Sequence, residues 1–333
     1  MRADRLPLYR AIEAQRGSKL IVYVTGDRPG METQIHPEVL DYFSRHLDTF
    51  GLPQKISLLL YSRGGSTLAG WSIANLIRQF CTQFEVIVPA KAQSTATLIA
   101  LGANEIMMTK QATLGPIDPS TNGALNPQIP GGPPTARLPV SVEDVAAYFE
   151  LAKQQAGLTT EAGLTAVFQK LAENIHPIAL GSVYRARTQI QMLAKRLLNL
   201  HMTDSQAIEQ IISFVCSESG SHDYTIFRRE AKDMLKLPIV KPSQDFYDNV
   251  LKPAYLDIRE ELQLDSKFDP TLILGDHETQ MYEAKRVLVE SITGGQHLYS
   301  TSGKVSKRTI NTPQGPNQVI ENSIRFDGWK YYE

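Results

Sequence analysis

The stretch Leu58–Ser66, which reads LLLYSRGGS, ends a short apolar run in a glycine loop. A second stretch, 92–106, reads AQSTATLIALGANEI and places Ser94 directly after another short run. An apolar helical pattern follows each of them, at Leu68–Phe80 and at Thr95–Leu101. Short buried strands that alternate with helices predict an α/β fold, with a mostly parallel sheet covered by helices.

The same alternation extends along the first third of the chain. Four apolar runs have the length and composition of buried strands, at Leu20–Val24, Ile56–Tyr61, Phe84–Pro89 and Glu105–Met108. In open α/β sheets, functional loops lie outside the carboxyl ends of the strands. The glycine loop and Ser94 both occupy that kind of position, so we expect them to lie close together.

The composition changes after Leu114. Seven of the nineteen prolines fall between Pro116 and Pro139, which predicts a loop or an arm with little regular structure. Helical patterns then return, and the strongest of them covers Leu180–His201.

These shifts predict the organisation of the chain. We expect one large domain over residues 1–240, with a Pro/Gly-rich and then helical insertion at 119–174. We expect a C-terminal extension at 241–333, formed by a helix around Tyr282–Ser291 and a β-rich tail.

Composition excludes several classes of protein. The 333 residues carry a net charge of −1, which gives no electrostatic footprint for nucleic acid. The two cysteines, Cys81 and Cys216, have neither metal-ligand spacing nor the pattern of a disulfide framework. No apolar run reaches the roughly 18 residues that span a bilayer, and the first residues lack the apolar run of a signal peptide. We therefore expect a cytoplasmic protein without a transmembrane segment, a metal or a cofactor.

The pair Gly64-Gly65 after a buried strand is compatible with three kinds of loop. A phosphate-binding loop of the Walker type ends in Lys-Ser or Lys-Thr, and a dinucleotide loop has the pattern G-x-G-x-x-G; both patterns are absent. The other two are an oxyanion hole and a tight turn that glycine alone tolerates. Ser94 is likewise either an N-cap residue or a nucleophile.

Three segments in this order resemble those of one known superfamily. Leu58–Ser66 resembles a strand followed by N-S-P-G-G, and 92–106 resembles the nucleophile segment A-x-S-A-G-T-x-x-A-L-x-A-D-x-I. Ala112–Pro119, which reads ATLGPIDP, resembles the segment A-x-L-G-P-I-D-P. The sequence is therefore similar to the Clp-peptidase and signal-peptide-peptidase superfamily, and within it to the serine dehydrogenase proteinases. The resemblance implies a ClpP/crotonase-like spiral of ββα units.

The resemblance also implies roles for particular residues. Ser94 would be the nucleophile of a serine peptidase, and the amides of Gly65 and Thr95 would form its oxyanion hole. His176 precedes the long helix as the Clp-peptidase histidine does, and Asp223 matches the aspartate that orients it. The substrate would be a peptide or protein, and the protein would form a homo-oligomer, as members of the superfamily do.

Departures from the pattern leave rival interpretations. His176 lies much farther along the chain from Ser94 than in Clp peptidases, because 119–174 intervenes. Signal-peptide peptidases use a lysine from an inserted region, so Lys153 and Lys170 are alternative bases. A catalytically silent scaffold or a non-proteolytic crotonase relative is the third possibility.

Two further residues are candidates for lesser roles. Arg63 stands where the family has proline, and it could bind a carboxylate or pair with Asp118. His222 is a second candidate for an imidazole partner of the serine.

Overall fold

The computed structural model describes residues 2–117, 120–121, 123–218, 221, 223–312 and 315–332. These residues form two compact units, Met1–Leu114 with Phe227–Glu333, and Gly115–Ile226. The division does not separate residues 241–333 from the first part of the chain, because one strand of this C-terminal extension pairs with the first strand of the chain.

The strands of the described residues alternate with helices in the first half and follow one another near the end. In chain order they are β1 (Lys19–Thr25), β2 (Lys55–Tyr61), β3 (Gln83–Val88), β4 (Lys91–Ala92), β5 (Glu105–Met108), β6 (Thr113–Leu114), β7 (Ser120–Thr121), β8 (Val140–Ser141), β9 (Ile226–Phe227), β10 (Ile239–Val240), β11 (Thr279–Ser291), β12 (Gly295–Thr312) and β13 (Gly315–Tyr332). The four strands expected in the first third of the chain are confirmed, each within one residue at either end.

The α-helices are α1 (Arg2–Arg16), α2 (Val39–Asp48), α3 (Thr67–Phe80), α4 (Thr95–Leu101), α5 (Val142–Glu150), α6 (Glu161–Asn174), α7 (Pro177–Leu198), α8 (Ser205–Ser213), α9 (Arg228–Asp233), α10 (Gln244–Phe246), α11 (Lys252–Glu261) and α12 (Pro270–Leu274). Three π-helical turns, Leu151–Gln155, Phe214–Glu218 and Tyr247–Leu251, continue α5, α8 and α10. The long helix expected around 180–201 is confirmed as α7.

An eight-stranded sheet organises the first unit, with the strand order β10-β5-β3-β2-β1-β11-β12-β13. The pairs from β10 to β1 are parallel, and those from β1 to β13 are antiparallel. Strands β1, β2 and β3 are buried over nearly their whole length, as expected of a parallel sheet covered on both faces. The α/β fold predicted from the sequence is confirmed.

The main core of the first unit lies between this sheet and helices α1 and α11. Tyr9, Val22, Leu59, Ile258 and Leu288 are among its members, and all five are fully buried. Each such side chain stabilises the fold by about 1.5–3 kcal/mol. This packing fixes the carboxyl ends of β1 and β2, from which the site described below is built.

A helix was expected around Tyr282–Ser291, and that expectation is wrong. The segment forms β11, whose residues 287–291 pair with Thr25–Ile21 of β1. Its residues Glu283–Arg286 include good helix formers, which explains the helical pattern. Pairing with a buried central strand satisfies the backbone of β11 and buries Leu288 and Val289, and this outweighs the local propensity.

The second unit is mainly helical. Its small core contains Val140, Val142 and Val183, and Ser141 caps α5 by accepting a hydrogen bond from the Asp144 amide. Strands β7 and β8 pair in an antiparallel arrangement. Helix α6 buries none of its residues within the chain.

Candidate active site

The loop after β2 and the turn after β4 are joined by backbone hydrogen bonds. Ser62 forms a parallel bridge with Ala92. The Ser62 amide donates to the Lys91 carbonyl over 3.1 Å, and the Gln93 amide donates to the Ser62 carbonyl over 3.0 Å. The tertiary structure therefore brings together the two sequence motifs, as expected from their positions at strand ends.

Ser94 has a backbone conformation that residues with side chains rarely adopt. Its φ is 52° and its ψ is −118°, although it is not glycine. Such a conformation costs on the order of 1–3 kcal/mol and occurs preferentially at functional sites. A strained turn between a strand and a helix is also how α/β-hydrolases present their nucleophilic serine.

The Ser94 hydroxyl is not used as a helix cap. Ser94 occupies the N-cap position of α4, yet its side chain accepts no capping hydrogen bond. The side chain is partly exposed, whereas the following residues Thr95–Leu101 are buried. The hydroxyl is thus available for chemistry, and the capping role that the sequence allowed is not seen.

Gly64 permits the close approach of the loop to Ser94. A Cβ atom on Gly64 would lie 2.7 Å from the Ser94 Cβ and 3.1 Å from its Oγ. Gly64 also has a φ of 111°, which disfavours any other residue. The glycine of the motif is therefore required by both the backbone and the neighbouring serine.

The Gly65 amide is left free by the pairing of its own loop. Gly65 forms a parallel bridge with Ile35, in which the Ile35 amide donates to the Gly64 carbonyl and the Ser66 amide donates to the Ile35 carbonyl, both over 2.8 Å. These bonds involve the residues on either side of Gly65. Within the part of the chain that the structure describes, the Gly65 amide itself donates to no acceptor.

Thr95 is hydrogen-bonded to Gly65, and the amides of these two residues are the ones expected to form the oxyanion hole. Thr95 is the first residue of α4, so its amide has no acceptor within the helix. Its hydroxyl donates to the Gly65 carbonyl over 2.7 Å. Its methyl group packs where Gly70 of α3 lacks a side chain, since a Cβ there would lie 2.4 Å from the Thr95 Cγ2.

Two buried hydroxyls behind the loop were missed by the sequence analysis. The Thr25 hydroxyl donates to the Ser62 Oγ over 2.7 Å, and this Oγ accepts the Gly64 amide over 3.0 Å. Both side chains are fully buried. Ser62 occupies the serine position of the family's N-S-P-G-G pattern, so that pattern could have indicated it; no signal in the sequence indicated Thr25.

Arg63 is the charged residue of the glycine loop. Arg63 is exposed, and its charge and that of Arg286 help to lower the pKa of Glu32, after the larger effect of backbone hydrogen bonds to that carboxyl. Asp118, the partner considered for Arg63, lies outside the described residues, as does His222.

His176 and Asp223 belong to the second unit, and each has other hydrogen bonds there. His176 is the N-cap of α7, and its Nδ1 accepts the Ile178 amide over 3.2 Å. The Asp223 amide donates to the Ser221 Oγ. Among the hydrogen bonds of the described residues, none joins the His176 ring to Asp223. In a catalytic triad the Nδ1 would instead donate to the aspartate, so the assignment of this pair stays a prediction.

The two lysines considered as bases are solvent-exposed within the second unit. The Lys153 Nζ lies 3.7 Å from a Glu150 carboxylate oxygen, and the Lys170 Nζ lies 3.1 Å from that of Glu173. Their side chains are 44% and 69% exposed. A lysine acts as a base when burial disfavours its charge, and neither environment supplies that burial.

Two features are absent from the described residues, a metal-binding cluster and a membrane-spanning helix. No group of three or more histidine, cysteine or acidic side chains within the described ranges has the arrangement of a metal site. Of the helices in those ranges, none is both long enough and apolar enough to cross a bilayer.

Comparison with known families bears directly on this site. Residues 47–129 match the family model described as ClpP-like SDH-type serine proteinase. The resemblance predicted from the sequence is confirmed. The matched segment contains the glycine loop, Ser94 and Thr95, which are the parts of the site that the structure brings together.

Two uncharacterized proteins of Methanocaldococcus jannaschii are relatives in sequence. One is 32% identical over 123 residues, and the other is 29% identical over 180 residues. The alignments cover 34% and 54% of this chain, and 41% and 51% of the relatives. The chain therefore spans about half, or less, of the length of the curated relatives it matches.

Two solved structures have some likeness to this chain. One is a mutant of a membrane-bound stomatin-specific protease in complex with a substrate peptide, with a TM-score of 0.36, 17% identity, and coverage of 68% of this chain and 78% of that chain. The other is a ClpP1 mutant from Listeria monocytogenes, with a TM-score of 0.38, 14% identity, and coverage of 71% and 99%.

Proposed function

We propose that this protein is a serine peptidase that cleaves peptide bonds through an acyl-enzyme on Ser94. The observation that carries the proposal is the strained backbone of Ser94, whose hydroxyl caps no helix. It is joined by the Gly65 amide of the adjoining glycine loop, which has no acceptor among the described residues. The match of residues 47–129 to a serine proteinase family supports it.

The mechanism follows from the positions of these groups. The Ser94 Oγ attacks the carbonyl carbon of the scissile peptide bond while a base removes its proton. The developing oxyanion accepts hydrogen bonds from the amides of Gly65 and Thr95, each worth about 10²–10³ in rate. The protonated base then donates its proton to the leaving amine, and water hydrolyses the acyl-enzyme by the same steps in reverse.

For the base, we propose His176, with Asp223 as the residue that orients its ring. This role requires the His176 Nδ1 to exchange its hydrogen bond from the Ile178 amide for donation to Asp223. The alternative is a serine–lysine dyad with Lys153 or Lys170, and it requires the chosen lysine to become buried.

We further propose that the protein acts in the cytoplasm as a homo-oligomer. The oligomer rests on the resemblance to the Clp-peptidase superfamily, and the cytoplasmic location rests on the composition of the chain. Its substrate would be a peptide or protein chain, and no cofactor takes part.

The test of the function is covalent labelling with a fluorophosphonate probe. The wild-type protein should be labelled at Ser94 and should hydrolyse an unstructured protein such as casein. Ser94→Ala should abolish the labelling and lower the hydrolysis rate by about 10⁶-fold. Ser243→Ala, which removes a serine that caps α10, is the matched control and should be labelled normally. Labelling that persists in Ser94→Ala, or a wild-type protein that is never labelled, would contradict the proposal and favour the scaffold.

The identity of the base is tested with three further variants. If His176 is the base, His176→Gln should lower the rate of hydrolysis by about 10²–10⁴-fold, while Lys153→Met and Lys170→Met retain it. A large loss in one lysine variant, with His176→Gln unaffected, would establish the dyad instead.

A further inference from the structure

Arg286 is the extra residue of a β-bulge in β11. On one side of it Lys285 pairs with Ser300, and on the other Val287 pairs with Tyr299, so that Arg286 has no opposite residue in β12. A bulge bends the strand and redirects the side chain of the extra residue, and bulges are frequent beside active sites. The irregularity lies next to the end of β1, where Thr25 pairs with Val287.

The redirected guanidinium binds the loop that follows β1. Its Nε donates to the Met31 carbonyl over 3.1 Å, and its Nη2 donates to the Glu32 carbonyl over 2.8 Å. The third nitrogen, Nη1, donates to the Thr301 hydroxyl over 3.0 Å and lies 3.6 Å from a carboxylate oxygen of Asp327. The planar fork of an arginine can serve all these acceptors at once, whereas a lysine cannot.

The Arg286 backbone holds the other part of the same loop. Its carbonyl accepts the Gly26 amide over 2.7 Å and the Thr33 hydroxyl over 3.1 Å. A Cβ on Gly26 would lie only 2.7 Å from this carbonyl oxygen, so the close approach requires glycine. A single residue of β11 therefore binds the loop 26–33 at four positions.

The loop 26–33 leads directly to Ile35, which supports the glycine loop. Ile35 makes the two backbone hydrogen bonds that flank Gly65, to the Gly64 carbonyl and from the Ser66 amide. The approach is so close that a Cβ on Gly65 would lie 2.4 Å from the Ile35 carbonyl oxygen. Any shift of Ile35 therefore shifts Gly65 and the direction of its amide.

We propose that Arg286 is a positioning residue, which clamps the loop 26–35 and thereby fixes the Gly65 amide in the oxyanion hole. The catalytic part of this inference rests on the proposed peptidase function. It gives the C-terminal strands β11–β13 a role in the site, because Arg286 is itself braced by Thr301 of β12 and Asp327 of β13.

The test compares Arg286→Met and Arg286→Lys with a control in the same C-terminal strands. Arg308→Met is the control, because it removes an exposed arginine of β12 that is paired with Glu321. We expect kcat for peptide hydrolysis to fall by about 10- to 100-fold in Arg286→Met, because displaced catalytic groups typically cause such losses. KM should stay within about twofold, because an oxyanion hole acts mainly in the transition state. Arg286→Lys keeps the charge opposite Asp327 and should fold, yet it should lose nearly as much kcat. Arg308→Met should match the wild type.

Hydrogen exchange of backbone amides tests the clamp independently of whether the protein is a peptidase. In both Arg286 variants the amides of Ile35 and Ser66 should exchange about tenfold faster or more, because their hydrogen bonds open more often, while amides of β2 remain protected. Unchanged exchange at Ile35 and Ser66 overturns the clamp, whether or not the wild type is a peptidase. Faster exchange with kcat unchanged overturns its link to the oxyanion hole. An inactive wild type with faster exchange in the variants refutes the peptidase and its oxyanion hole but leaves the clamp established.

Discussion

Two serines stand at the N-terminus of neighbouring helices, and only one of them caps its helix. Ser66 has ordinary extended dihedral angles, φ −64° and ψ 115°, and its side chain accepts the Ala69 amide of α3 over 3.3 Å. Ser94 has φ 52° and ψ −118° and caps nothing. The same residue type at the same helix position therefore has a structural role in one turn and a potentially chemical one in the other.

The difference arises from what holds each turn. On one side of Ser94, Ala92 is bridged to Ser62, and on the other side Thr95 is bonded to the Gly65 carbonyl. Between these two anchors, Ser94 adopts its strained backbone conformation. The Ser66 amide donates to the Ile35 carbonyl, and the Ser66 carbonyl accepts the Gly70 amide. The Ser66 backbone is extended, and its side chain adopts the capping geometry.

The largest effect is expected from a substitution that pushes the Ser94 turn away from the glycine loop. Gly64→Ala introduces a Cβ that collides with Ser94, and we expect kcat/KM for hydrolysis and the rate of fluorophosphonate labelling to fall by about 10²-fold or more. Gly51→Ala is the matched control: Gly51 also has a positive φ, 67°, but no atom lies near the added Cβ. Full activity in Gly64→Ala would show that the contact with Ser94 is not needed.

A smaller effect is expected from the hydroxyls behind the loop. Ser62→Ala leaves the Gly64 amide without its acceptor, so the oxyanion loop should loosen, and kcat should fall by about tenfold. The unsatisfied amide should also lower the free energy of unfolding by about 1–3 kcal/mol. Thr25→Ser keeps the donor to Ser62 and should be active.

The control for this variant is Ser57→Ala, on the preceding strand β2. Ser57 is also buried, and its hydroxyl is bonded to Ser18 and Glu85, away from the loop. It should lose stability but retain kcat. Equal losses of kcat in both variants would mean that general destabilisation, and not the loop, is responsible.

The smallest effects are expected in the free energy of unfolding, which should change in opposite directions when the two serines are replaced. Ser94→Gly relieves the backbone strain and should raise the free energy of unfolding by about 1 kcal/mol while abolishing labelling. Ser66→Ala removes a helix cap and should lower that free energy by about 1 kcal/mol. Urea denaturation of both variants measures the two shifts, and the same sign for both would refute the contrast between the serines.

The sequence was sufficient for four of the five strands in the parallel half of the sheet, because strands buried on both faces are largely apolar; the two-residue strand β10 was not predicted. It was misleading for β11, whose Glu283–Arg286 segment has helical propensity and whose pairing partner, β1, lies near the opposite end of the chain. The site shows the same division. Gly65, Ser94 and Thr95 were recognised from local motifs, whereas Thr25 and Ile35 carry no local signal.

From the sequence alone, the glycine loop and Ser94 could be recognised as candidates for the chemistry, because each needs only its own neighbours to form a strand-to-helix turn. The tertiary structure decided that Ser94 is strained and caps no helix, that the Gly65 amide has no acceptor among the described residues, and that Arg286 binds the loop leading to Ile35. These properties depend on hydrogen bonds between distant segments, such as that between Arg286 and Met31, which are 255 residues apart. Local propensity carries no information about such pairs, because they form only when the sheet assembles.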